Sequence, residues 1–224
     1  MGISKHAIRP TRWEGVFSDG EMLLTRNPVP GVRVYGERLF DHDGIEYREW
    51  VPSRSKLGAY LRKDGRQFPF TRSSKVLYLG AASGTTSSHV SDIVVDGTVF
   101  CVEISQRSFR DLVQVCELRP NMVPILADAT RPEEFQFVVE GPDVLYQDVA
   151  QKDQVGIFLR NLQAFNIDRG MLVVKARSED VTKEPREIFR SVEGQFRKGG
   201  FQVIDSMELE PFEKDHAMVV VERA

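Results

Sequence analysis

From residue 75 onward, the sequence alternates short, uninterrupted apolar runs with longer amphipathic stretches. The apolar runs have the length of strands, and their continuous Val, Ile and Leu content is typical of parallel strands that helices cover on both faces. The alternation therefore predicts βαβ units around a buried parallel sheet. The predicted strands are KVLYLG (75–80), TVFCVEI (98–104), MVPILAD (122–128), DVLYQDV (143–149) and GMLVVKAR (170–177). The predicted helices lie near 85–94, at 105–118, near 132–139, near 151–165 and at 184–198.

The end of the chain departs from this alternation. Two further strand-like runs, FQVIDSMELE (201–210) and AMVVVERA (217–224), are separated only by residues 211–216. So short a connection leaves no room for a crossover helix, and the last strand is expected to return antiparallel. A Rossmann-like α/β fold, in which a mostly parallel, seven-stranded sheet ends in an antiparallel hairpin, is the architecture of class I methyltransferases.

The first 50 residues have a different pattern. Residues 14–50 contain closely spaced turn signals between short extended runs, which is typical of a small antiparallel β unit. We therefore predict two domains, a small N-terminal β-rich domain at residues 1–52 and a domain with the class I methyltransferase architecture at residues 53–224. The extended runs in the first domain are expected at 22–25, 32–35 and 45–50.

The charge balance limits the kind of partner that the protein can hold by itself. Lys and Arg total 30 against 33 Asp and Glu, a net charge of −3, so no overall positive field favours a free-standing nucleic-acid binder. The basic residues concentrate in segment 48–72, and a solvated surface helix and loop would give the same local excess. The basic side chains there, against Glu49 and Asp64, are Arg48, Arg54, Lys56, Arg62, Lys63, Arg66 and Arg72.

The sequence also indicates a compartment. No apolar run approaches the roughly 20 residues that span a bilayer, and residues 1–10 lack the apolar stretch of a secretory signal. We expect a soluble, intracellular protein of the cytoplasm. Cys101 lies in an apolar run and Cys116 on a predicted helix, which indicates buried, reduced thiols and neither a disulfide framework nor a metal site.

The first predicted strand of the parallel sheet leads into a loop of small residues, GAASGTT at 80–86. In open α/β sheets, ligands bind beyond the carboxyl ends of the strands, and the turn after the first strand makes many of the contacts with the ligand. The loop has neither the G-x-G-x-x-G spacing of dinucleotide sites nor the Gly-Lys-Ser/Thr of a nucleotide P-loop. A nicotinamide-dependent dehydrogenase is therefore disfavoured, although Gly80 and Gly84 still let the backbone approach a ligand.

Acidic residues end the next two predicted strands. Glu103 ends the second strand, where a carboxylate can accept both hydroxyls of an adenosine ribose. Asp128 ends the third strand, where it can accept a hydrogen bond from the adenine amino group. A lone carboxylate at a strand end is usually a solvated charge or a helix cap. Together with Gly80 and Gly84 on the same edge, these two residues predict an adenosine site.

Several long motifs occur in the order and at the spacing that the fibrillarin family shows, and they extend over nearly the whole chain. They are SRSKL (53–57), LGAASGTTSSHVSDIV (79–94), VEISQRSFRDL (102–112), DVLYQDVAQKDQ (143–154), VVKARSED (173–180) and LEPFEKDHAMVVV (209–221). The sequence resembles the archaeal fibrillarin-like form, which lacks the Gly/Arg-rich N-terminal extension of eukaryotic fibrillarin.

The resemblance implies an S-adenosylmethionine-dependent enzyme that methylates ribose 2′-hydroxyls of rRNA and tRNA, as the catalytic subunit of a box C/D guide ribonucleoprotein. The partners that it implies are the guide RNA, the target RNA, a Nop-domain scaffold protein and a kink-turn-binding ribosomal-type protein. The cofactor site expected from the loop, the acidic residues and the resemblance comprises Gly80, Ala81, Gly84, Thr85, Thr86, Glu103, Ile104, Asp128, Ala129, Asp148, Val149, Ala150 and Gln151.

Four side chains match the Lys-Asp-Lys-His constellation of this family. Asp148 and Lys175 end the fourth and fifth parallel strands. His216 begins the final strand, and the antiparallel direction of that strand brings its start to the same edge. Lys56 precedes the sheet and can fold over its mouth. We expect Lys175 to deprotonate or electrostatically stabilise the 2′-oxygen while Asp148 orients it. Lys56 and His216 would hold the ribose or an adjacent phosphate.

Two other interpretations stay open. A class I methyltransferase that acts on a small molecule or on a protein side chain predicts an enclosed acceptor pocket and no dependence on a guide RNA; eukaryotic relatives are associated with glutamine methylation of a histone. A non-catalytic scaffold of a ribonucleoprotein predicts that the catalytic positions have decayed. The presence of Lys56, Asp148, Lys175 and His216 argues against that second alternative.

Overall fold

The computed structural model of the chain describes residues 7–224. Residues 1–6, with which the first predicted domain begins, lie outside the described residues. The strands are β1 (Arg9–Pro10), β2 (Val16–Ser18), β3 (Leu23–Arg26), β4 (Leu39–His42), β5 (Ile45–Trp50), β6 (Lys75–Leu79), β7 (Thr98–Glu103), β8 (Met122–Leu126), β9 (Val144–Gln147), β10 (Arg169–Lys175), β11 (Phe201–Glu208) and β12 (His216–Arg223). The α-helices are α1 (Lys56–Arg62), α2 (Thr85–Ile93), α3 (Gln106–Glu117), α4 (Gln154–Ala164), α5 (Ala176–Glu179) and α6 (Pro185–Lys198).

Within residues 7–224, strands β6 to β12 form a large sheet in the order β11-β12-β10-β9-β6-β7-β8. Strands β6 to β10 run parallel to one another, and β12 pairs antiparallel with both β10 and β11. The chain moves outward from β6 to β8 and then restarts on the other side of β6 with β9, so the strand order reverses beside β6. Such a switch opens a crevice at the carboxyl ends of the strands. The predicted mostly parallel sheet with a terminal antiparallel hairpin is confirmed.

Strands β1 to β5 form a small antiparallel sheet in the order β1-β2-β3-β5-β4. The predicted strand at 32–35 is wrong, since this segment is a loop. The carboxylate of Glu37 accepts hydrogen bonds from the backbone N–H groups of Val34 at 3.1 Å and of Tyr35 at 2.8 Å. These amides are therefore occupied locally and do not join a ladder.

The predicted short helix at 132–139 is reduced to a single 3₁₀ turn at Pro132–Glu134. The backbone bonds around it join residues three or four apart, such as Phe135 N–H to the Pro132 carbonyl at 3.2 Å, and they do not continue as a helix. The buried ring of Phe135 stacks on Phe165, with 5.7 Å between the ring centroids. Tight-turn hydrogen bonding and the buried side chains of Phe135 and Val139 hold the segment without a helix.

Two apolar cores lie on the two faces of the large sheet. The first contains side chains of α1, α2 and α3 together with Trp13, Leu23 and Trp50 of the N-terminal region. The second contains side chains of α4 and α6. Both Cys101 and Cys116 are buried and free, as the sequence predicts. In the described part of the chain, no helix is long and apolar enough to cross a membrane.

A buried group of charges joins the small sheet to helix α2. The Arg48 side chain is 0% exposed, and its Nε lies 3.4 Å from a Glu37 oxygen and 3.2 Å from an Asp92 oxygen. Thr25 Oγ1 donates to Asp92 at 2.8 Å, and Arg119 Nε lies 3.6 Å from the other Asp92 oxygen. Arg48 is therefore an internal ion-pair partner and not a member of the basic surface that the sequence indicates.

His89 completes this buried group. Its ring lies between Thr25 Oγ1 and Tyr35 Oη, each at 2.8 Å from a ring nitrogen, and stacks on Trp50 with centroids 4.8 Å apart. Burial, followed by the positive charges of Arg48 and Arg119, lowers the pKa of His89 well below its ordinary value. The neutral ring thus serves as a hydrogen-bonding spacer between the small sheet and α2.

Replacement of Arg48 by Met is expected to lower the free energy of unfolding by about 3–5 kcal/mol, because it leaves the carboxylates of Glu37 and Asp92 buried without their cation. Urea unfolding followed by circular dichroism measures the change. The matched control is Arg72→Met, which breaks the exposed ion pair with Asp96 and should cost less than about 1 kcal/mol. Equal losses in the two variants would contradict the structural role given to Arg48.

Candidate active site

The four predicted catalytic side chains meet at the carboxyl edge of the large sheet. Asp148 directly follows β9, and its N–H donates to the Leu79 carbonyl at 2.9 Å. Lys175 is the last residue of β10, and its register partner in β12 is His216. Lys56 is the first residue of α1. Strand pairing therefore fixes three of these residues, and the start of a helix fixes the fourth.

The carboxylate of Asp148 lies between two ammonium groups. Lys175 Nζ is 2.7 Å from one of its oxygens, and Lys56 Nζ is 3.4 Å from the other. Lys175 Nζ also donates to the backbone carbonyl of Asp148 at 3.2 Å. The side chains are 11% exposed for Asp148, 15% for Lys175 and 24% for Lys56, so solvent screens these ion pairs less than it screens surface pairs.

His216 stands at the same edge as a neutral ring. Its pKa is lowered by burial and then by the positive charge of Lys56, against the opposing effects of a backbone hydrogen bond to Lys214 and of the nearby carboxylates. The Nδ1 atom forms no hydrogen bond with any described residue and lies 3.8 Å from Glu213. The neighbouring Asp215 pairs instead with Arg177 at 3.1 Å. The imidazole can therefore accept or donate a hydrogen bond to a bound group.

A buried glutamine, Gln154, fixes the backbone of Lys175. Its Oε1 accepts from the Lys175 N–H at 2.8 Å, and its Nε2 donates to the Lys175 carbonyl at 3.0 Å. Gln154 is itself held, because its own carbonyl accepts from Gln147 Nε2 at 2.8 Å and its N–H donates to Glu179 at 2.6 Å. Since Gln147 directly precedes Asp148, this network ties the ends of β9 and β10 together.

The sequence interpretation did not include Gln154, Gln147 or Glu179. All three lie in or beside segments that resemble fibrillarin motifs. A polar residue at the start of a helix is usually exposed to solvent, so the sequence gives no reason to expect a buried role. A signal was available at Gln147, which is a polar side chain inside the apolar run of β9. Such a residue in a strand covered on both faces needs an internal hydrogen-bond partner.

A cavity of about 420 Å³ opens at the carboxyl ends of β6, β7 and β9, next to Asp148 and Lys175. At one wall of the cavity, the backbone of Gly80, which has φ +81°, lies close to the backbone of Asp148. A Cβ there would stand 2.6 Å from the Asp148 carbonyl oxygen, so only glycine fits. The cavity is lined by Gly80, Ala82, Val102, Glu103, Ile104, Ser108, Ala127, Ala129, Asp148, Val149, Ala150, Gln151 and Lys175.

Two polar side chains shape this cavity. The carboxylate of Glu103 accepts from the N–H of Ala82 at 2.8 Å and from the N–H of Ser105 at 2.7 Å, which fixes both of its oxygens and anchors the loop after β6. The Oε1 atom of Gln151 is buried and has no hydrogen-bond partner among residues 7–224. A buried acceptor without a partner is costly unless a ligand supplies the donor.

The residues predicted for the cofactor divide into two groups. Eight of them line the cavity: Gly80, Glu103, Ile104, Ala129, Asp148, Val149, Ala150 and Gln151. The others lie outside that lining: Ala81, Gly84, Thr85, Thr86 and Asp128. Thr86 donates to Ser55 Oγ at 3.0 Å, and Asp128 accepts from the N–H of Thr130 at 2.9 Å. Their side chains therefore support the chain around the cavity.

Four lining residues were missed by the sequence interpretation, namely Ala82, Val102, Ser108 and Ala127. Three of them are direct neighbours of predicted loop or strand-end residues. Ser108 lies one helical turn after the residue that caps α3, so helix geometry places it on the cavity side. Within the described part of the chain, no group of three or more His, Cys, Asp or Glu side chains is arranged to hold a metal ion.

The strand order, the crevice at the switch point and the acidic end of β7 define a class I methyltransferase fold. The model of the fibrillarin family matches residues 7–224, and the chain belongs to this family. It is 50% identical over 212 residues to the fibrillarin-like rRNA/tRNA 2′-O-methyltransferase of Methanothermobacter thermautotrophicus, which covers 94% of this chain and 95% of the relative.

Solved structures show the same similarity. Aeropyrum pernix fibrillarin, solved with natively bound S-adenosyl-L-methionine, has a TM-score of 0.89 and 44% identity, over 98% of this chain and 100% of that chain. A fibrillarin in complex with Nop5p has a TM-score of 0.86 and 39% identity, over 95% of this chain and 99% of that one.

Replacement of Gln154 by Leu removes both hydrogen bonds to the Lys175 backbone and leaves its N–H without a partner. We expect the Lys175 amide to exchange with solvent at least about tenfold faster, since a lost buried hydrogen bond costs about 1–3 kcal/mol. Hydrogen exchange measured by NMR tests this. Gln195→Leu on the exposed face of α6 is the matched control. Unchanged protection of Lys175 in the Gln154 variant would contradict the positioning role.

Replacement of Lys56 by Met is expected to raise the pKa of His216, because the variant lacks a positive charge that disfavours the imidazolium. An NMR titration of the histidine ring measures the midpoint. Lys75→Met, at the opposite end of β6, removes the same charge from an exposed position and should leave the His216 midpoint unchanged. A midpoint that stays the same or falls in the Lys56 variant would show that this lysine does not act on His216.

Proposed function

We propose that this chain transfers a methyl group from S-adenosylmethionine to ribose 2′-hydroxyls of rRNA and tRNA, as the catalytic subunit of a box C/D guide ribonucleoprotein. The observation that carries the proposal is the Asp148 carboxylate between Lys56 and Lys175 at the mouth of the cavity. The names of the archaeal relatives state the same activity for those proteins.

The residues around the cavity fit S-adenosylmethionine. Glu103 ends β7 at the position where a carboxylate can receive ribose hydroxyls, and the buried Oε1 of Gln151 is available to a donor of the ligand. Gly80 has no side chain, so a ligand can approach the backbone of the loop closely. The carboxylate of Asp148 attracts a cationic ligand. When bound, this cofactor supplies an electrophilic methyl group on a sulfonium centre.

The chain itself supplies alignment and charge. A ribose hydroxyl is a weak nucleophile at neutral pH, so its proton must be held or removed as its oxygen approaches the methyl group. Lys175 Nζ takes this role as a base or as an electrostatic stabiliser, and Asp148 orients it through the 2.7 Å ion pair. Lys56 and neutral His216 bind the ribose or an adjacent phosphate. Fixed side chains of this kind act chiefly by positioning the reacting atoms.

The guide ribonucleoprotein supplies the partners in this proposal. They are the guide RNA and its target, a Nop-domain scaffold protein and a kink-turn-binding ribosomal-type protein. A related fibrillarin forms a complex with Nop5p, which supports the scaffold partner. We also propose a cytoplasmic location, which the archaeal source of the relatives supports. We also assign residues 1–52 and 53–224 to two domains that share an apolar core, which the two sheets of the described residues support.

The Lys175→Ala variant is expected to lose methyl transfer by a factor of about 10²–10⁴, as is typical when a positioned proton-transfer group is removed. The assay uses the complex reconstituted with a guide RNA, a complementary target and the other core proteins. Cofactor binding is measured separately by calorimetry and should persist. Lys198→Ala, at an exposed site on α6, is the matched control and should keep full activity.

Full turnover by Lys175→Ala would refute the role of this lysine. The same assay without guide RNA separates the proposal from methylation of a protein or a small molecule. If the isolated chain modified the RNA at the same site and rate, dependence on the guide complex would be wrong. If the wild-type complex bound cofactor but transferred no methyl group, a scaffold role would replace the enzymatic one.

A further inference from the structure

A second cavity of about 420 Å³ lies between the loop at 32–37, the loop before α2 and helix α3. It is distinct from the cofactor cavity, and no residue lines both. Its walls contain Arg33, Arg54, the Tyr35 ring and Thr85, and Arg119 also lines it. We call this cavity the arginine groove.

Two of its arginines are exposed and carry charges that no described carboxylate neutralises. Arg33 Nε donates to the backbone carbonyl of Glu37 at 3.0 Å. The Arg54 guanidinium lies over the Tyr35 ring, 5.9 Å from its centroid. Neither forms an ion pair with another residue in 7–224, unlike Arg72 or Arg223 elsewhere on the surface. Each guanidinium therefore keeps donors free for a ligand.

Arg119 adds buried hydrogen-bond donors to the wall of this groove. Its side chain is 1% exposed, and its closest carboxylate oxygen belongs to Asp92 at 3.6 Å. The Nε, Nη1 and Nη2 atoms form no hydrogen bond within the described chain. Asp92 and Glu37 balance the charges of Arg119 and Arg48 inside the protein, so Arg119 contributes unpaired hydrogen-bond donors to the groove wall while Arg33 and Arg54 contribute its uncompensated charge. Asp111 is the one acidic residue of the lining, which leaves the groove positive.

The groove adjoins the proposed catalytic residues. Arg54 precedes Lys56 by two residues, and Ser55 between them accepts a hydrogen bond from Thr86 at 3.0 Å. Thr86 follows Thr85 of the groove wall at the start of α2. The short segment 54–56 thus presents one cation to the groove and the next to the Asp148 carboxylate. A chain that places a sugar beside Lys56 can continue into the groove.

We propose that the arginine groove binds the phosphodiester backbone of the substrate RNA strand next to the methylated ribose. This inference rests on the function proposed above. Guanidinium groups bind phosphate oxygens with charge-assisted, often paired hydrogen bonds, and such contacts fix the register of a strand without reading its bases. Arg33 and Arg54 are the phosphate donors, and Tyr35 offers a ring face beside them. An acidic peptide of a partner protein could meet the same charges but would not explain the continuity with Lys56.

The test is steady-state methylation by the reconstituted complex, with Arg33→Ala, Arg54→Ala and the double variant. The double variant should raise the KM for target RNA about tenfold, because each lost phosphate contact costs about threefold at moderate salt. The slope of log KM against log salt concentration should become less steep by about one for each arginine removed. The kcat at saturating RNA and the affinity of the isolated chain for S-adenosylmethionine should stay at wild-type values.

Arg190→Ala, an exposed arginine on α6, is the matched control and should change neither the KM nor the salt slope. Wild-type KM and slope in the double variant would overturn the inference. Loss of scaffold-protein binding by the double variant, measured by calorimetry without RNA, would assign the groove to an acidic protein segment instead. An inactive wild-type complex would refute the proposed function, whereas an active complex indifferent to both arginines would refute only the groove.

Discussion

The active-site geometry depends on one ionic arrangement, in which the Asp148 carboxylate separates the ammonium groups of Lys56 and Lys175. Two cations at one partly buried edge would repel each other, and the carboxylate is what allows both to stay there. His216 keeps a lowered pKa and adds no further positive charge at neutral pH. Lys56, Asp148 and Lys175 together carry one net positive charge, which in the proposed function faces the ribose and phosphates of the RNA while the Asp148 carboxylate favours a cationic cofactor.

Strand pairing sets most of this arrangement, and the start of α1 positions Lys56. Lys175 and His216 are register partners in neighbouring strands, and Asp148 is hydrogen-bonded to the end of β6. Gln154 then fixes the Lys175 backbone from the start of α4. Alignment of a hydroxyl with a methyl group is lost when the reacting atoms are displaced by about 1 Å. Buried hydrogen bonds that hold the backbone in place therefore contribute directly to reactivity. The backbone of Lys175 is fixed, so only its side-chain torsions can move.

The apolar runs were enough to predict every strand of the large sheet, and the ends of these strands bring three of the four proposed catalytic residues, Asp148, Lys175 and His216, to one edge. Two predictions failed because of side-chain contacts, namely the strand at 32–35 and the surface position of Arg48. Glu37 captures amides that would otherwise form a strand at 32–35, and nothing in the local pattern reveals that contact. Arg48 looks like a surface cation in sequence, but its partners Glu37 and Asp92 are distant along the chain. Charge counts cannot separate buried from exposed members of such a segment.

The buried position of Arg48 bears on the meaning of the net charge of −3. Of the basic residues in 48–72, Arg48 is buried, Lys56 faces Asp148 and Arg72 pairs with Asp96. The other four, Arg54, Arg62, Lys63 and Arg66, form no ion pair among the described residues. So small a number of free cations leads us to expect weak affinity of the isolated chain for RNA. In the proposed guide ribonucleoprotein, weak intrinsic binding is useful because base pairing with the guide selects the target, and strong contacts of the enzyme would hold it on the wrong RNA. The small number of free arginines then sets the register of the strand, while the partners supply the affinity.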